Sequence, residues 1–191
     1  MDEEFLVSQL LVRANDAEHR HDFSHRISSS LPPPASAEEI ASAEVALSLN
    51  IPRLLKALLT QIANGGFGPG YGLLGTTNGH SDSDGRTLLE LRNFLRSAVE
   101  STGSEWNPNL LPICGWGSSV WSCVDCSTTV NSIFTLDEDG FTQTPYALHS
   151  WLEDWCKGVR LWDTMFEFEE VEIINPFTRE VAVTRKRLRA V

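Results

Sequence analysis

The sequence predicts one α+β domain, a mostly antiparallel sheet packed against several helices. Three observations predict it. Apolar residues recur at helical spacing through the first hundred positions, the pattern changes to short strand-like runs from Leu110, and two further runs flank a turn near the end. A length of 191 residues suits a single domain.

In residues 1–30, Phe5-Leu6-Val7 with Leu10-Leu11-Val12 make an amphipathic start, followed by a polar stretch carrying His19, His21 and His25. The histidines read as a solvated helix end or linker rather than a metal tract. Ser28-Ser29-Ser30, Leu31 and Pro32-Pro33-Pro34 form a stiff extended linker, so residues 1–30 are expected to precede a compact domain at 31–191. Ser36-Ala37-Glu38-Glu39 is a capping box opening a helix through Leu47. Pro52 stands in the first turn of a second helix, whose face is Leu54, Leu55, Leu58, Leu59 and Ile62.

Asn64-Gly65-Gly66 stops that helix, and the glycine-rich run 65–72, with Phe67 and Gly68, follows it. A phosphate loop would lead into a helix and carry a Lys-Ser or Lys-Thr pair, so this run reads as an exposed connection into a sheet. Residues 77–86 are polar. Asp82, Asp84 and Gly85 resemble a calcium loop, but positions 91 and 93 are Leu and Asn where the closing Glu belongs, which leaves a flexible loop. A third helix spans 86–100, with Leu88, Leu89, Leu91, Phe94, Leu95 and Val99 as its apolar set.

The runs 110–114, 120–125 and 130–136 form an antiparallel meander, and Asp137-Glu138-Asp139-Gly140 is a turn. Thr144-Pro145 is expected to open a helix through Gly158, with Leu148, Trp151, Leu152 and Trp155 on one side. Residues 169–188 read as a hairpin about the turn 175–179. Four cations, Arg185, Lys186, Arg187 and Arg189, gather at its end, and removing them takes the net charge from −11 to −15. They can pair across the hairpin with the acidic stretch 167–172.

Charge and cysteine usage narrow the function. With 26 acidic against 15 basic residues, the chain is a poor ligand for nucleic acid. No apolar run reaches the ~18 residues of a membrane span. The acidic opening Met-Asp-Glu-Glu is unlike a secretory signal, and few cysteines fit a reducing, cytoplasmic setting. Cys123-Val-Asp-Cys126 has the spacing of a zinc knuckle or a thiol redox motif. Cys114 and Cys156 are isolated, so no second pair completes a zinc site. The surroundings read as a strand, which favours structural cysteines over metal or redox work. His149 and Glu153 sit four residues apart on a helix face, a spacing too common to define an acid–base pair.

The segments 31–34, 51–55, 64–72, 110–117, 121–126 and 150–155 together resemble the SUKH superfamily of Smi/Knr-type domains, over about residues 31–162. The resemblance implies a twisted sheet against helices, no catalytic residue set and no cofactor. It implies an immunity-type protein that binds and neutralises a bacterial toxin, or a regulatory interaction domain in cell-wall or stress signalling. Asn64, Gly65, Gly66, Phe67, Gly68 and Trp151 match its motif as fold determinants, and Trp116 and Asp125 match it as possible contacts. A strongly negative surface suits a basic toxin domain, such as a nuclease, and marks Asp82, Asp84, Asp137, Glu138 and Asp139 as further contacts. A zinc- or thiol-dependent protein using Cys123 and Cys126 is the remaining alternative.

Overall fold

A computed structural model describes residues 2–23, 30–174, 177–179 and 181–187. His25, Ser28, Ser29, Arg189 and part of the 175–179 turn lie outside the described residues.

The helices form where local signals predict them. In α2 (Ala37–Leu47) the Ser36 side chain accepts from Glu39 N at 3.1 Å, and the Glu39 carboxylate accepts from Ser36 N at 2.8 Å, completing the capping box. Pro52 precedes α3 (Arg53–Gln61), which buries Leu54, Leu55, Leu58 and Leu59. A second capping box, Thr87 with Glu90, opens α4 (Leu88–Ser101) two residues later than expected. Phe94 does not join the buried face of α4. It is 50% exposed.

Strands β1 (Leu110–Gly117), β2 (Val120–Asp125), β3 (Ser132–Asp137) and β4 (Gly140–Ala147) make one antiparallel sheet in the order β1-β2-β3-β4. The expected helix at Thr144-Pro145 is replaced there by the end of β4. Pro145 is tolerated because β4 is an edge strand, and Thr144 Oγ1 donates to Ile133 O at 2.8 Å. Helix α5 (Leu148–Cys156) then buries Leu148, Trp151, Leu152 and Trp155, and a short α6 (Leu161–Met165) follows.

The N-terminal helix α1 (Glu3–Ala14), expected ahead of the compact domain, shares its core. Leu6, Leu10 and Ala14 are fully buried, and the Arg13 guanidinium lies 3.9 Å over Trp155 of α5. Asp22 fastens the chain after α1 by accepting from Gly70 N at 2.7 Å and Trp155 Nε1 at 3.1 Å. His21 is buried and bridges to Gly68, so the histidine stretch is not uniformly solvated, although His19 is exposed beside Asp16.

The run 65–72 is buried, apart from a half-buried Tyr71, not exposed. Its backbone sits directly against other backbone: Gly66 N donates to Leu73 O, and Tyr71 N to Gly115 O. Glycine at 65 and 70 permits that approach, since a Cβ there would stand 2.4 Å from Leu73 O and 2.4 Å from Gly115 O respectively. Strands β5 (Phe168–Ile174) and β6 (Val181–Arg187) form a separate two-stranded hairpin, in register with Glu169 opposite Lys186 and Glu170 opposite Arg185. Its base touches the body where the Phe168 and Trp162 rings lie 6.3 Å apart.

Candidate functional site

A groove of about 1280 Å³ opens at one end of the sheet. Antiparallel order explains its position, because the β1–β2 turn and the β3–β4 turn emerge at the same end. Both turns line the groove, together with the 80–86 loop and the face of α4 carrying Phe94, Ala98 and Thr102. Its apolar surface comes from Leu74, Leu95, Val99, Trp121, Leu136 and Phe141.

Five of the acidic residues marked in the sequence meet here: Asp82, Asp84, Asp137, Glu138 and Asp139 all line the groove. Their situations differ. The Asp82 side chain is 5% exposed and organises its own loop. Its Oδ1 accepts from Asp84 N at 3.0 Å and Arg86 N at 2.8 Å, and its Oδ2 accepts from Arg86 Nε at 2.9 Å. The expected flexible loop is therefore a hydrogen-bonded turn closed on a buried carboxylate. Asp84 is 67% exposed and pairs with the Arg86 Nη2 group. The Arg86 guanidinium lies 3.9 Å over the Phe94 ring, tying the loop to α4.

Of the motif residues, Asn64 holds the segment leading into this loop. Asn64 is buried; its Oδ1 accepts from Thr76 N at 2.8 Å, and its Nδ2 donates to Thr77 O at 3.1 Å. Its carbonyl accepts from His80 N at 2.8 Å. The His80 ring, hydrogen-bonded to Tyr71 O, has its pKa pushed down by burial. Trp151 is fully buried in α5, and Phe67 in the core.

Trp116 and Asp125 stand away from the groove. Trp116 is 5% exposed, its indole N–H donates to Ser122 Oγ at 2.9 Å, and its ring packs on Trp162. Asp125 lies at the other end of β2, where Oδ1 accepts from Ser127 N at 2.8 Å and closes a turn. The sequence reading missed Phe94, Glu105 and Trp121 in the lining. For Phe94 a signal existed: at about 100° per residue it lies about 60° beyond Leu91, at the edge of the stripe Leu88, Leu91 and Leu95 rather than within it.

All four cysteines are free. Burial pushes the pKa of Cys114 and Cys123 far up, and that of Cys126 up to about 12. Thiols so placed stay protonated and are poor nucleophiles and metal ligands. Among the described residues, no three His, Cys, Asp or Glu side chains gather as a metal site. Glu153 lies 3.7 Å from His149, but its carboxylate is hydrogen-bonded to Lys157 at 2.7 Å, which holds its pKa down. No helix among the described residues is long and apolar enough to cross a membrane.

An antiparallel meander backed by helices, with an acidic groove at its turn end, defines an α+β domain whose distinctive surface is a recess. A scan against protein families matches residues 34–168 to the SMI1/KNR4 family (SUKH-1). The chain belongs to that family. The match runs from just before α2 to the first residue of β5 and includes every groove residue. A search of curated proteins finds no match.

Proposed function

We propose that this protein is a non-enzymatic binding module of the immunity type, which neutralises a bacterial toxin by capturing a basic toxin domain. One observation carries the reading. Carboxylates more than fifty positions apart in sequence, Asp82 and Asp84 on one side and Asp137, Glu138 and Asp139 on the other, converge on one groove with an apolar lining. A net charge of −11 attracts a basic partner over distance, and the apolar surface provides the short-range adhesion. The same charge disfavours nucleic acid. Family membership supports an interaction role, and the protonated thiols weigh against a zinc or thiol reaction at Cys123 and Cys126. Free cysteines suit a reducing compartment, so this reading has the protein acting in the cytoplasm.

The test is capture by the tagged protein from lysate of its own host, washed at low and then high salt. A basic protein released by salt, together with loss of survival of deletion cells only when they face a toxin producer, is the expected result. A salt-insensitive partner without basic character overturns the capture mechanism. Impaired growth of deletion cells in isolation would instead favour a regulatory domain.

A further inference from the structure

We infer that the groove receives an amphipathic, basic α-helix of the protein partner, with apolar residues facing the lining and arginine or lysine along its flanks. This rests on the binding-module reading above and adds the form of the segment bound.

Size, backbone and charge each point to that occupant. A helix about 10–12 Å across, rising 1.5 Å per residue, fills about 120–170 Å³ per residue, so the groove has room for roughly eight to ten residues, or two to three turns. The sheet enters the groove through its turns, at Gly117 to Trp121 and Leu136 to Phe141, rather than along a strand edge. Of the described residues of the edge strand β4, Gly140 and Phe141 alone line the groove, too short a strand edge for an extended peptide to pair along, so recognition falls to side chains. A helix presents them at i, i+3, i+4 and i+7, a spacing suited to the exposed Phe94 ring and the Leu95, Val99 and Trp121 surface. Among the described lining residues six are Asp or Glu and one, Arg86, is Arg or Lys, so the formal charge of the described rim is negative. Basic flanks complement that rim and acidic flanks are repelled by it.

The test uses labelled synthetic peptides of about four helical turns and fluorescence anisotropy. One is an amphipathic Leu/Lys helix, one its Leu/Glu counterpart, and one a Leu/Lys peptide of the same charge with a central proline. The wild type is expected to bind the first saturably at one per chain and the others at least about tenfold more weakly. Ala98→Trp, at an exposed helix position in the groove, plugs it without changing charge and is expected to weaken binding about tenfold. Asp139→Lys is expected to weaken binding several-fold more than Glu38→Lys, an identical charge change on α2 outside the groove. Circular dichroism and unchanged melting temperatures verify that each variant is folded.

Equal binding by wild type, Ala98→Trp and Asp139→Lys would overturn the inference, as would equal binding of the proline peptide or no peptide binding at all. Failure of the wider reading looks different. Salt-labile capture of a basic protein by both wild type and Ala98→Trp removes the groove but keeps the binding module. Groove-dependent peptide binding without any basic protein captured removes the toxin-capture reading alone.

Discussion

Gly65→Ala is expected to remove a large part of the folding free energy, whereas Gly103→Ala is expected to cost only about 1–2 kcal/mol. The two glycines have nearly the same backbone, with φ of +84° at Gly65 and +82° at Gly103, so a side chain meets the same left-handed strain at both. Surroundings separate them. A Cβ at 103 meets nothing within 4 Å, while one at 65 would stand 2.4 Å from Leu73 O, 2.8 Å from Gly75 N and 2.9 Å from Leu74 C. All three are backbone atoms, so the 73–75 segment must retreat by about 1 Å to restore ordinary contact. That segment carries Gly66 N to Leu73 O, Leu74 N to Ile113 O and Gly75 N to His80 O, each at 2.8 Å. Misaligning two such buried bonds, at about 1–3 kcal/mol each, on top of the left-handed strain brings the total to about 3–8 kcal/mol. Against a usual stability of about 5–15 kcal/mol, this leaves a marginal fold. Urea unfolding followed by the fluorescence of the six tryptophans reads both variants. Equal costs at the two sites would refute the close-approach argument.

Other expectations follow from the same contacts. Asn64→Ala removes the bonds to Thr76 and Thr77 and is expected to cost about 2–4 kcal/mol, with faster amide exchange across residues 76–86; unchanged exchange there would contradict its anchoring role. Burial raises the pKa of Asp22, although its bonds from Gly70 and Trp155 and the nearby Arg13 oppose the shift. The folded protein then holds a proton that the unfolded chain releases near the ordinary carboxylate value, so the stability from Asp22 is full below that value and is lost as pH rises through the raised one. Asp22→Asn should therefore gain on the wild type over that window, and parallel stability–pH curves would refute the assignment. Ser118 and Ser119 both have positive φ, at 49° and 61°, in the β1–β2 turn, so Ser119→Gly is expected to raise stability by about 1 kcal/mol in the same urea assay; a loss would contradict this. Native Cys123 is expected to resist a thiol reagent at neutral pH and to react in urea, whereas fast native labelling would restore the thiol reading.

Local chemistry was legible in the sequence and long-range contact was not. The capping box at Ser36 and the spacing of Leu54, Leu55, Leu58 and Leu59 involve neighbours within a few residues, and the structure realises both. Strand β4 escaped because its stretch Phe141-Thr142-Gln143-Thr144-Pro145 carries little apolar alternation, as an edge strand can, and its proline mimics a helix start. The stripe Leu6, Leu10 and Ala14 was readable as helical, but its destination was not: Arg13 meets Trp155 across 142 positions. The candidate groove shows the same division. Its acids stand out in the sequence, yet their convergence depends on alternate turns of a meander emerging at one end, and on a buried Asn64 that draws the 76–80 segment beneath them.

The central claim is that the groove carboxylates capture a basic partner. The most direct measurement is the affinity of the partner recovered by salt-sensitive capture, at low ionic strength, for wild type, for an Asp84→Lys and Asp139→Lys double variant, and for Glu38→Lys. The account predicts about a ten- to hundredfold loss for the double variant, with a shallower salt dependence, and little change for Glu38→Lys. An unchanged affinity in the double variant, or an equal loss from Glu38→Lys, would contradict it.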